Sequence, residues 1–209
     1  MAMVKLDPPP QLNMSLGEAM FTQRAIRRLK PDPISDEDIR TLMDAAAKAP
    51  NARNEHRGRF LVVRDRAKIR KFAELYAEAW WAKQPEGWSP ENAPPGDKHL
   101  APMRLAEAMK DVPVVVLAVS TSPGNASSVL PAAQNLMLAA RALGIGSVLT
   151  TLHPCVTDRI HELFGIPSQG EVHCCIPLGY PEGRFGTTAR LPTSETTYYE
   201  EWGKPPPWE

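Results

Sequence analysis

The stretch from Ser128 to Leu143 constrains the fold of this chain more than any other feature. Nearly every position in it is apolar, and Gly144 follows as a natural helix end. A helix that is apolar on almost all sides has to be buried all round. In a chain of 209 residues, this predicts a central helix that also packs against a second subunit. The polar exceptions, Gln134 and Asn135, are either satisfied across that interface or catalytic.

Helices and strands alternate along the rest of the chain. A capping box of Ser15 with Glu18 begins one helix. A second box, Ser35 with Asp38, begins another. Helical patterns also cover residues 67–81 and 157–164, and strand patterns cover residues 59–64, 112–120, 146–151 and 172–178. The chain is therefore predicted to form one domain in which helices flank a sheet.

Proline is abundant but unevenly distributed. The 22 prolines are concentrated at residues 8–10, around Trp88 and at residues 205–207. Proline runs cannot join helix or sheet ladders, so these regions are predicted to be arms and a surface excursion. We expect an N-terminal arm over residues 1–14, one domain over 15–195 with the excursion at about 80–110, and a C-terminal arm over 196–209.

The charge balance argues against a nucleic-acid or membrane partner. The chain carries 24 Lys and Arg against 24 Asp and Glu, so its formal net charge is zero and it has no broad field to attract polyanions. No apolar run approaches the roughly 20 residues of a membrane span, and the first residues lack a signal-peptide pattern. A cytoplasmic protein is expected, in which a local cluster of positive charge holds any anionic ligand.

The cysteines and histidines show no metal or nucleophile motif. Cys155, Cys174 and Cys175 are odd in number and two are adjacent, a spacing that seldom suits a structural disulfide. There is no CxxC pair and no zinc-type spacing. Cys174 and Cys175 lie in an apolar run and are predicted to be small core residues. The chemistry is therefore expected to depend on other residues, without a bound metal.

Four polar segments are candidates for that chemistry. The first is residues 23–28 (QRAIRR), whose arginines match phosphate, although a solvated basic patch has the same composition. The second is the loop at residues 49–58, rich in hydrogen-bonding groups, although Pro and Asn also build turns for local reasons. The third, residues 149–153, follows a predicted strand, and the fourth, residues 183–190, carries two arginines. No GxGxxG, P-loop or GxSxG pattern is present.

Taken in order, these segments resemble the nitroreductase family. The opening, FTQRAIRRLKPDPISDEDIRTLMDAAAKAPNARNEHRGRFLVVRD, is followed by VPVVVLAV, AAQNLMLAARALGIGSVL, LFGIP and IPLGYPEGRFGTTARLP. The resemblance covers nearly the whole chain, from about Leu16 to Trp202. It implies an α+β fold with a mixed central sheet of four to five strands flanked by helices, and an intertwined homodimer with FMN at its interface.

The resemblance also implies an activity. Family members are FMN-dependent oxidoreductases that pass electrons from NADH or NADPH through the flavin to an organic acceptor, such as a nitroaromatic or a quinone, by a ping-pong mechanism. They use no catalytic acid or nucleophile, because the flavin carries the hydride and the protein supplies position and electrostatics. The alternatives are a flavin-binding or storage protein without turnover, and a flavin-fragmenting or dehalogenating relative.

Three groups of residues match the family's flavin site. In the first, Arg24 would contact the phosphate and ribityl side, Ala25 would contribute its backbone, and Arg27 would lie near the pyrimidine. The late residue Arg190 would also hold the phosphate. The second group is a loop that would reach the flavin of the partner subunit: Pro50, Asn51, Ala52 and Asn54. The third is a strand end that would lie along the flavin, with a backbone N–H near N5: Leu149, Thr150, Thr151 and Leu152.

Several residues depart from the family pattern. Gln23 replaces an arginine and Ala25 replaces a serine. Phosphate binding is therefore expected to be weaker, or to be supplemented by Arg28 or Arg184. The usual N-x-Q-P-W loop reads NEHRG at residues 54–58, which changes the floor and the charge of the pocket.

The excursion and the C-terminal arm complete the comparison with the family. Residues 80–109 fall where the family often builds a lid over the flavin. There, Trp80, Trp81 and Trp88 would either stack on a planar substrate or only pack the excursion onto the body. Residues 198–203 fit an arm that embraces the other subunit.

Overall fold

A four-stranded sheet forms the centre of the computed structural model, which describes residues 7–151 and 154–208. The strands are β1 (Gly58–Val63), β2 (Val114–Ser120), β3 (Gly146–Ser147) and β4 (Glu171–Gly179). The α-helices are α1 (Leu16–Thr22), α2 (Asp36–Ala47), α3 (Arg66–Trp81), α4 (Leu100–Ala108), α5 (Ala126–Ala142) and α6 (Thr157–Phe164). In the described part of the chain, none of these helices is long and apolar enough to cross a membrane.

The sheet is antiparallel along its whole ladder. Its strands lie in the order β1–β2–β4–β3, and each neighbouring pair is antiparallel. Among the described residues, the one parallel contact is an isolated bridge between Ala25 and Ser147. The predicted α+β class and strand number are therefore confirmed, and the mixed character of the sheet is confined to that bridge.

Helices cover both faces of the sheet, so β2 is buried at all seven positions. From Val114 to Val119, the even-numbered side chains pack in one cluster with α2 and α5. The odd-numbered side chains pack in a second cluster with α3, α4 and α6. Cys174 and Cys175 of β4 are fully buried, which confirms their prediction as core residues.

The capping residues lie where the sequence predicts them. The Oγ atom of Ser15 accepts a hydrogen bond from the backbone N–H of Glu18 at 3.1 Å, and Ser35 does the same for Asp38 at 3.0 Å. Gly165 ends α6 with a φ of 65°, the left-handed conformation that glycine tolerates. Because these signals are local, they are readable from the sequence alone.

The third strand is shorter than predicted because of a proline in its neighbour. The prediction covers residues 146–151, but only the first two belong to β3. The register that pairs Gly146 with the last residue of β4 also pairs Thr150 with Cys175. The pairing of β3 with β4 is therefore interrupted opposite Pro177, which has no N–H to donate. The chain returns to the sheet at Thr150.

One face of α5 is exposed in the single chain. Ser127 and Gln134 are exposed, and Leu130 between them is 40% exposed. Asn135 donates a hydrogen bond to the carbonyl of Ala45 at 3.3 Å, so one N–H of its amide is satisfied without a second subunit. The burial predicted on every side of this helix is thus incomplete within one chain.

Candidate functional site

An extended segment after α1 forms one wall of the candidate site. Two of its backbone N–H groups donate to the carbonyls of Ser147 and Tyr180, at 2.9 and 2.7 Å, so residues 23–30 lie along β3 and the end of β4. This close approach depends on Gly146, where a Cβ would lie 2.8 Å from the side chain of Leu29. A larger residue there would push the segment away from the sheet.

Five arginines line a cleft of about 400 Å³ beside that segment. They are Arg24, Arg27, Arg28, Arg104 and Arg184. Arg28 pairs with Glu182 at 2.9 Å. Within residues 7–151 and 154–208, no carboxylate forms an ion pair with the other four. This arginine cleft therefore carries an excess of positive charge, which suits a phosphate or another anion.

Three parts of the chain supply these arginines. Three of them belong to the extended segment, Arg184 belongs to the loop after β4, and Arg104 belongs to α4. Met103, Leu105 and Ala106 are buried and hold α4 against the body. Arg104 lies on the exposed side of this packed helix, so its backbone position is fixed.

Thr150 is held near the arginine cleft by three hydrogen bonds. Its backbone exchanges two with Cys175, at 3.0 and 2.8 Å, and its hydroxyl lies 2.8 Å from the hydroxyl of Tyr76. Burial raises the pKa of Tyr76 to about 12, and the nearby charge of Arg27 opposes that rise. The phenol is therefore neutral near neutral pH, and its hydrogen bond holds the strand end against α3.

A smaller cavity of about 90 Å³ lies between this strand end and the excursion. Its lining residues are Tyr76, Ala79, Trp80, Lys83, Thr150 and Thr151. Thr150 and Thr151 thus border this cavity. Leu149 differs from them, because it packs against the core formed with α2 and α5. Leu152 lies outside the described residues.

The tryptophans of the excursion pack against one another. The ring centroid of Trp80 lies 4.7 Å from that of Trp81 and 5.5 Å from that of Trp88. The indole N–H of Trp88 donates to Asp97 at 3.2 Å, and a hydrogen bond from the backbone of His99 lowers the pKa of Asp97. Trp80 is buried, whereas Trp81 is 43% exposed. Trp80 and Trp88 are therefore packed within the excursion, Trp80 also lines the small cavity, and Trp81 leaves part of its ring exposed.

The loop after α2 has an uncommon backbone conformation. Three non-glycine residues have a positive φ: Arg53 (53°), Asn54 (56°) and His56 (51°). Left-handed backbone costs such residues about 1 kcal/mol or more each. The side-chain oxygen of Asn51 accepts a hydrogen bond from the backbone N–H of His56 at 2.9 Å, and the N–H of Ala52 donates to Ser128 at 3.0 Å. Strain of this kind is concentrated at binding sites.

This loop and the arginine cleft lie at opposite ends of α5. Ala52 contacts Ser128 in the first turn of the helix. At the other end, Arg141 donates to the hydroxyl of Thr22, next to the extended segment, at 2.7 Å. More than three turns separate the two contacts, about 20 Å along the helix axis. One chain therefore does not bring the predicted loop residues to the arginine cleft; these are Pro50, Asn51, Ala52 and Asn54.

The structure brings only part of the predicted site together. Arg24, Ala25 and Arg27 line the arginine cleft, and Ala25 is bridged to Ser147, three residues before Thr150. Arg190 is not among the lining residues; it is exposed, and its guanidinium donates to the carbonyl of the preceding residue at 2.8 Å.

Sequence reasoning missed Tyr76 and Arg104. The sequence pattern places Tyr76 only on the apolar face of a helix, and it places Arg104 in a proline-rich excursion. The partner of Tyr76, Thr150, is 74 positions away in the chain. No local signal marks either residue, because both acquire their position through tertiary packing.

A second polar cluster combines a serine, a histidine and a glutamate, but it is structural. Ser120 Oγ lies 2.8 Å from His173 Nε2 and donates to the carbonyl of Ser122 at 2.7 Å, while Glu171 lies 3.8 Å from His173. Ser120 is fully buried, so its hydroxyl is inaccessible to a substrate. Elsewhere in the described chain, no group of His, Cys, Asp or Glu is arranged to hold a metal.

Known proteins share both the sequence pattern and the fold. A protein of Archaeoglobus fulgidus with "NADH dehydrogenase/NAD(P)H nitroreductase" in its name is 33% identical over 165 residues, which are 78% of this chain and 83% of that protein. Iodotyrosine deiodinase 1 of Rattus norvegicus is 27% identical over 180 residues, which are 78% of this chain and 61% of that protein.

The solved structures give the same result for the fold. A nitroreductase with bound FMN from Bacteroides fragilis matches with a TM-score of 0.67 at 21% identity, covering 90% of this chain and 100% of that chain. The sequence profile of the Nitroreductase family matches residues 21–180. This chain belongs to the nitroreductase family.

Proposed function

We propose that this protein is an FMN-dependent oxidoreductase that passes electrons from NADH or NADPH to an organic acceptor, such as a nitroaromatic or a quinone. The observation that carries this proposal is the arginine cleft, with its excess of positive charge, beside a strand end fixed by Tyr76. The bound FMN of the Bacteroides fragilis structure and the NAD(P)H in the name of the Archaeoglobus fulgidus relative support this choice of cofactor and donor.

The arginine cleft fits the phosphate end of FMN. A phosphate monoester carries a charge of about −2 near neutral pH, and Arg24 would bind it with parallel N–H groups. Arg190 would join it after turning away from its own backbone. Gln23 points elsewhere, because its amide contacts the sulfur of Met137 at 3.8 Å. The supplement expected from Arg28 is weakened by its pair with Glu182.

The other end of the site fits the flavin ring. Arg27 would lie against the pyrimidine and stabilise negative charge there, and Ala25 would contribute its backbone. The backbone of Leu149, Thr150 and Thr151 would lie along the ring, held in place by the hydrogen bonds of Thr150. When bound, FMN supplies hydride transfer between the donor and the acceptor.

The site would be completed by a second copy of the chain. We propose a twofold dimer in which the exposed stripe of α5 around Leu130 packs against the same stripe of the partner subunit. An antiparallel pairing of the two α5 helices would bring the strained loop at residues 50–54 of the partner subunit to the arginine cleft, about 20 Å from its own loop. Exposed apolar residues agree with such an interface: Leu16, Met20, Phe21 and Leu130.

The C-terminal arm supports the same assembly. Trp202 is 91% exposed, and Tyr198 and Tyr199 are also exposed. Large aromatic side chains are seldom left in water without a partner surface. The arm is therefore proposed to embrace the other subunit.

Flavin titration of the purified protein tests the cofactor proposal. We expect wild-type protein to bind FMN, and Arg24→Ala and Arg27→Ala to weaken binding by about tenfold each, because each loses a charge-assisted contact. Arg70→Ala is the matched control, since Arg70 is exposed on α3 outside the cleft. Equal affinity in all four proteins would contradict this assignment of the cleft.

A second candidate is reductive dehalogenation. It is favoured by the similarity to iodotyrosine deiodinase 1 and by the ring surface that Trp81 leaves exposed at the excursion. Iodide release from an iodinated phenol, compared with reduction of a nitroaromatic under the same conditions, separates the two activities. A protein that binds FMN but does neither would be a flavin-binding protein without turnover.

A further inference from the structure

Two arginines of the cleft are not used by the proposed flavin contacts. Arg24 and Arg27 would serve the phosphate and the pyrimidine, Arg190 would supplement the phosphate in place of Arg184, and Arg28 is paired with Glu182. Arg104 and Arg184 come from α4 and from the loop after β4, and in the described chain neither forms an ion pair. Their charges therefore remain available to another ligand.

This accumulation of charge is local and unfavourable without an anion. The whole chain has a formal net charge of zero, yet one cleft of about 400 Å³ is lined by four guanidinium groups that pair with no carboxylate among the described residues. Like charges held within about 10 Å repel each other despite salt screening. Bound anions would relieve that repulsion, and the phosphate of one FMN accounts for about two charges.

The two arginines are placed where an exchanging ligand can reach them. Both are exposed. Arg104 is presented by a helix whose buried residues, such as Met103 and Leu105, fix it on the body. Binding groups that are already held in position lower the entropy that an incoming ligand has to lose on binding.

We propose that Arg104 and Arg184 form an anion subsite for the substrates that exchange at the flavin. The subsite takes a phosphate or a carboxylate, because the planar guanidinium binds both with parallel hydrogen bonds. Two sources fit this chemistry: the 2′-phosphate that distinguishes NADPH from NADH, and a carboxylate on the acceptor. The inference rests on the proposed function, since both substrates are defined by their reaction at bound FMN.

The donor arm of the test compares Arg104→Ala and Arg184→Ala with the control Arg70→Ala, all loaded with FMN. Adenosine 2′,5′-bisphosphate carries the 2′-phosphate without the nicotinamide, so its calorimetric binding gives a readout apart from turnover. If the subsite binds the 2′-phosphate of the donor, each cleft variant binds adenosine 2′,5′-bisphosphate about tenfold more weakly. The KM for NADPH then rises by a similar factor while the KM for NADH is unchanged.

The acceptor arm compares 4-nitrobenzoate with 4-nitrobenzyl alcohol, which differ in the carboxylate. If the subsite binds a carboxylate of the acceptor, the cleft variants raise the KM for 4-nitrobenzoate about tenfold and leave the KM for 4-nitrobenzyl alcohol unchanged. A selective loss in either arm supports the subsite and identifies its ligand.

Two results overturn the subsite. In the first, neither arm discriminates between the variants and the control. In the second, Arg104→Ala and Arg184→Ala lower the affinity for FMN itself, which would assign both residues to the flavin phosphate. If either result is found while the wild-type protein binds FMN, only the subsite is wrong and the proposed function stands. A wild-type protein that binds no FMN overturns both proposals.

Discussion

The Tyr76 hydroxyl lies 2.8 Å from the Thr150 hydroxyl in a position that is 5% exposed. Burial raises its pKa from the ordinary value of 10.0 to about 12. Between these two values the unfolded chain loses the phenolic proton while the folded chain keeps it. The free energy of unfolding therefore falls as the pH rises through this window, by up to about 3 kcal/mol from this residue.

Tyr76→Phe removes that share of the pH dependence. We expect urea unfolding to show a larger fall in stability between about pH 10 and 12 for wild-type protein than for the variant. Burial also raises the pKa of Cys174 and Cys175, but both proteins contain these residues, so their contribution cancels in the comparison. Equal losses in the two proteins would show that Tyr76 ionises as readily in the folded chain as in water.

At the scale of helices and strands, helix caps can be read from the sequence, whereas the pairing of one strand with another cannot. The caps at Ser15 and Ser35 depend on residues three positions away, so they could be predicted. The early end of β3 depends on Pro177 in a strand about thirty residues later in the chain, so it could not. Helix α4 was not predicted, because its surroundings are rich in proline, and it is stabilised by packing on α3.

Substitution of Gly146 tests how closely the extended segment at residues 23–30 has to approach the sheet. A Cβ at this position would lie 2.8 and 2.9 Å from the side chains of Leu29 and Ile26, and 3.1 Å from the carbonyl of Gly179. We expect Gly146→Ala to lower the free energy of unfolding by about 1–3 kcal/mol and to weaken FMN binding, because the segment has to shift.

Gly186→Ala is the control for this prediction, since no atom of the described residues would lie within 4 Å of a Cβ there. Urea unfolding and flavin titration are measured for both variants. If Gly146→Ala and Gly186→Ala have the same stability and the same FMN affinity, the contact between β3 and the extended segment does not position the site.

At the scale of the whole molecule, the candidate site could be predicted from the sequence only as a set of segments. Residues 23–28 and the strand end at Thr150 come together in one chain, with Tyr76 and Arg104 added by tertiary packing. The loop at residues 50–54 lies at the far end of α5. That separation is a property of the folded chain, and it is the reason for proposing that two subunits share each site.

Leu130→Glu tests the proposed dimer. A charge on the exposed stripe of α5 would face its own copy across a twofold axis, so we expect sedimentation to show monomers where wild-type protein forms dimers. FMN affinity should fall with the loss of the partner's loop. Arg70→Glu places the same charge on an exposed position of α3 and should change neither property. A dimeric Leu130→Glu protein, or a wild-type monomer with full FMN affinity, would refute this arrangement.

The proposed activity is tested first by the visible spectrum of the FMN-loaded protein, followed anaerobically through the addition of NADPH and then of a nitroaromatic or quinone. We expect the flavin band to bleach with the donor and to return with the acceptor, because the protein's role is to hold the flavin where both can react. A flavin band that persists in the presence of both NADPH and NADH would contradict the oxidoreductase assignment, even if FMN remains tightly bound.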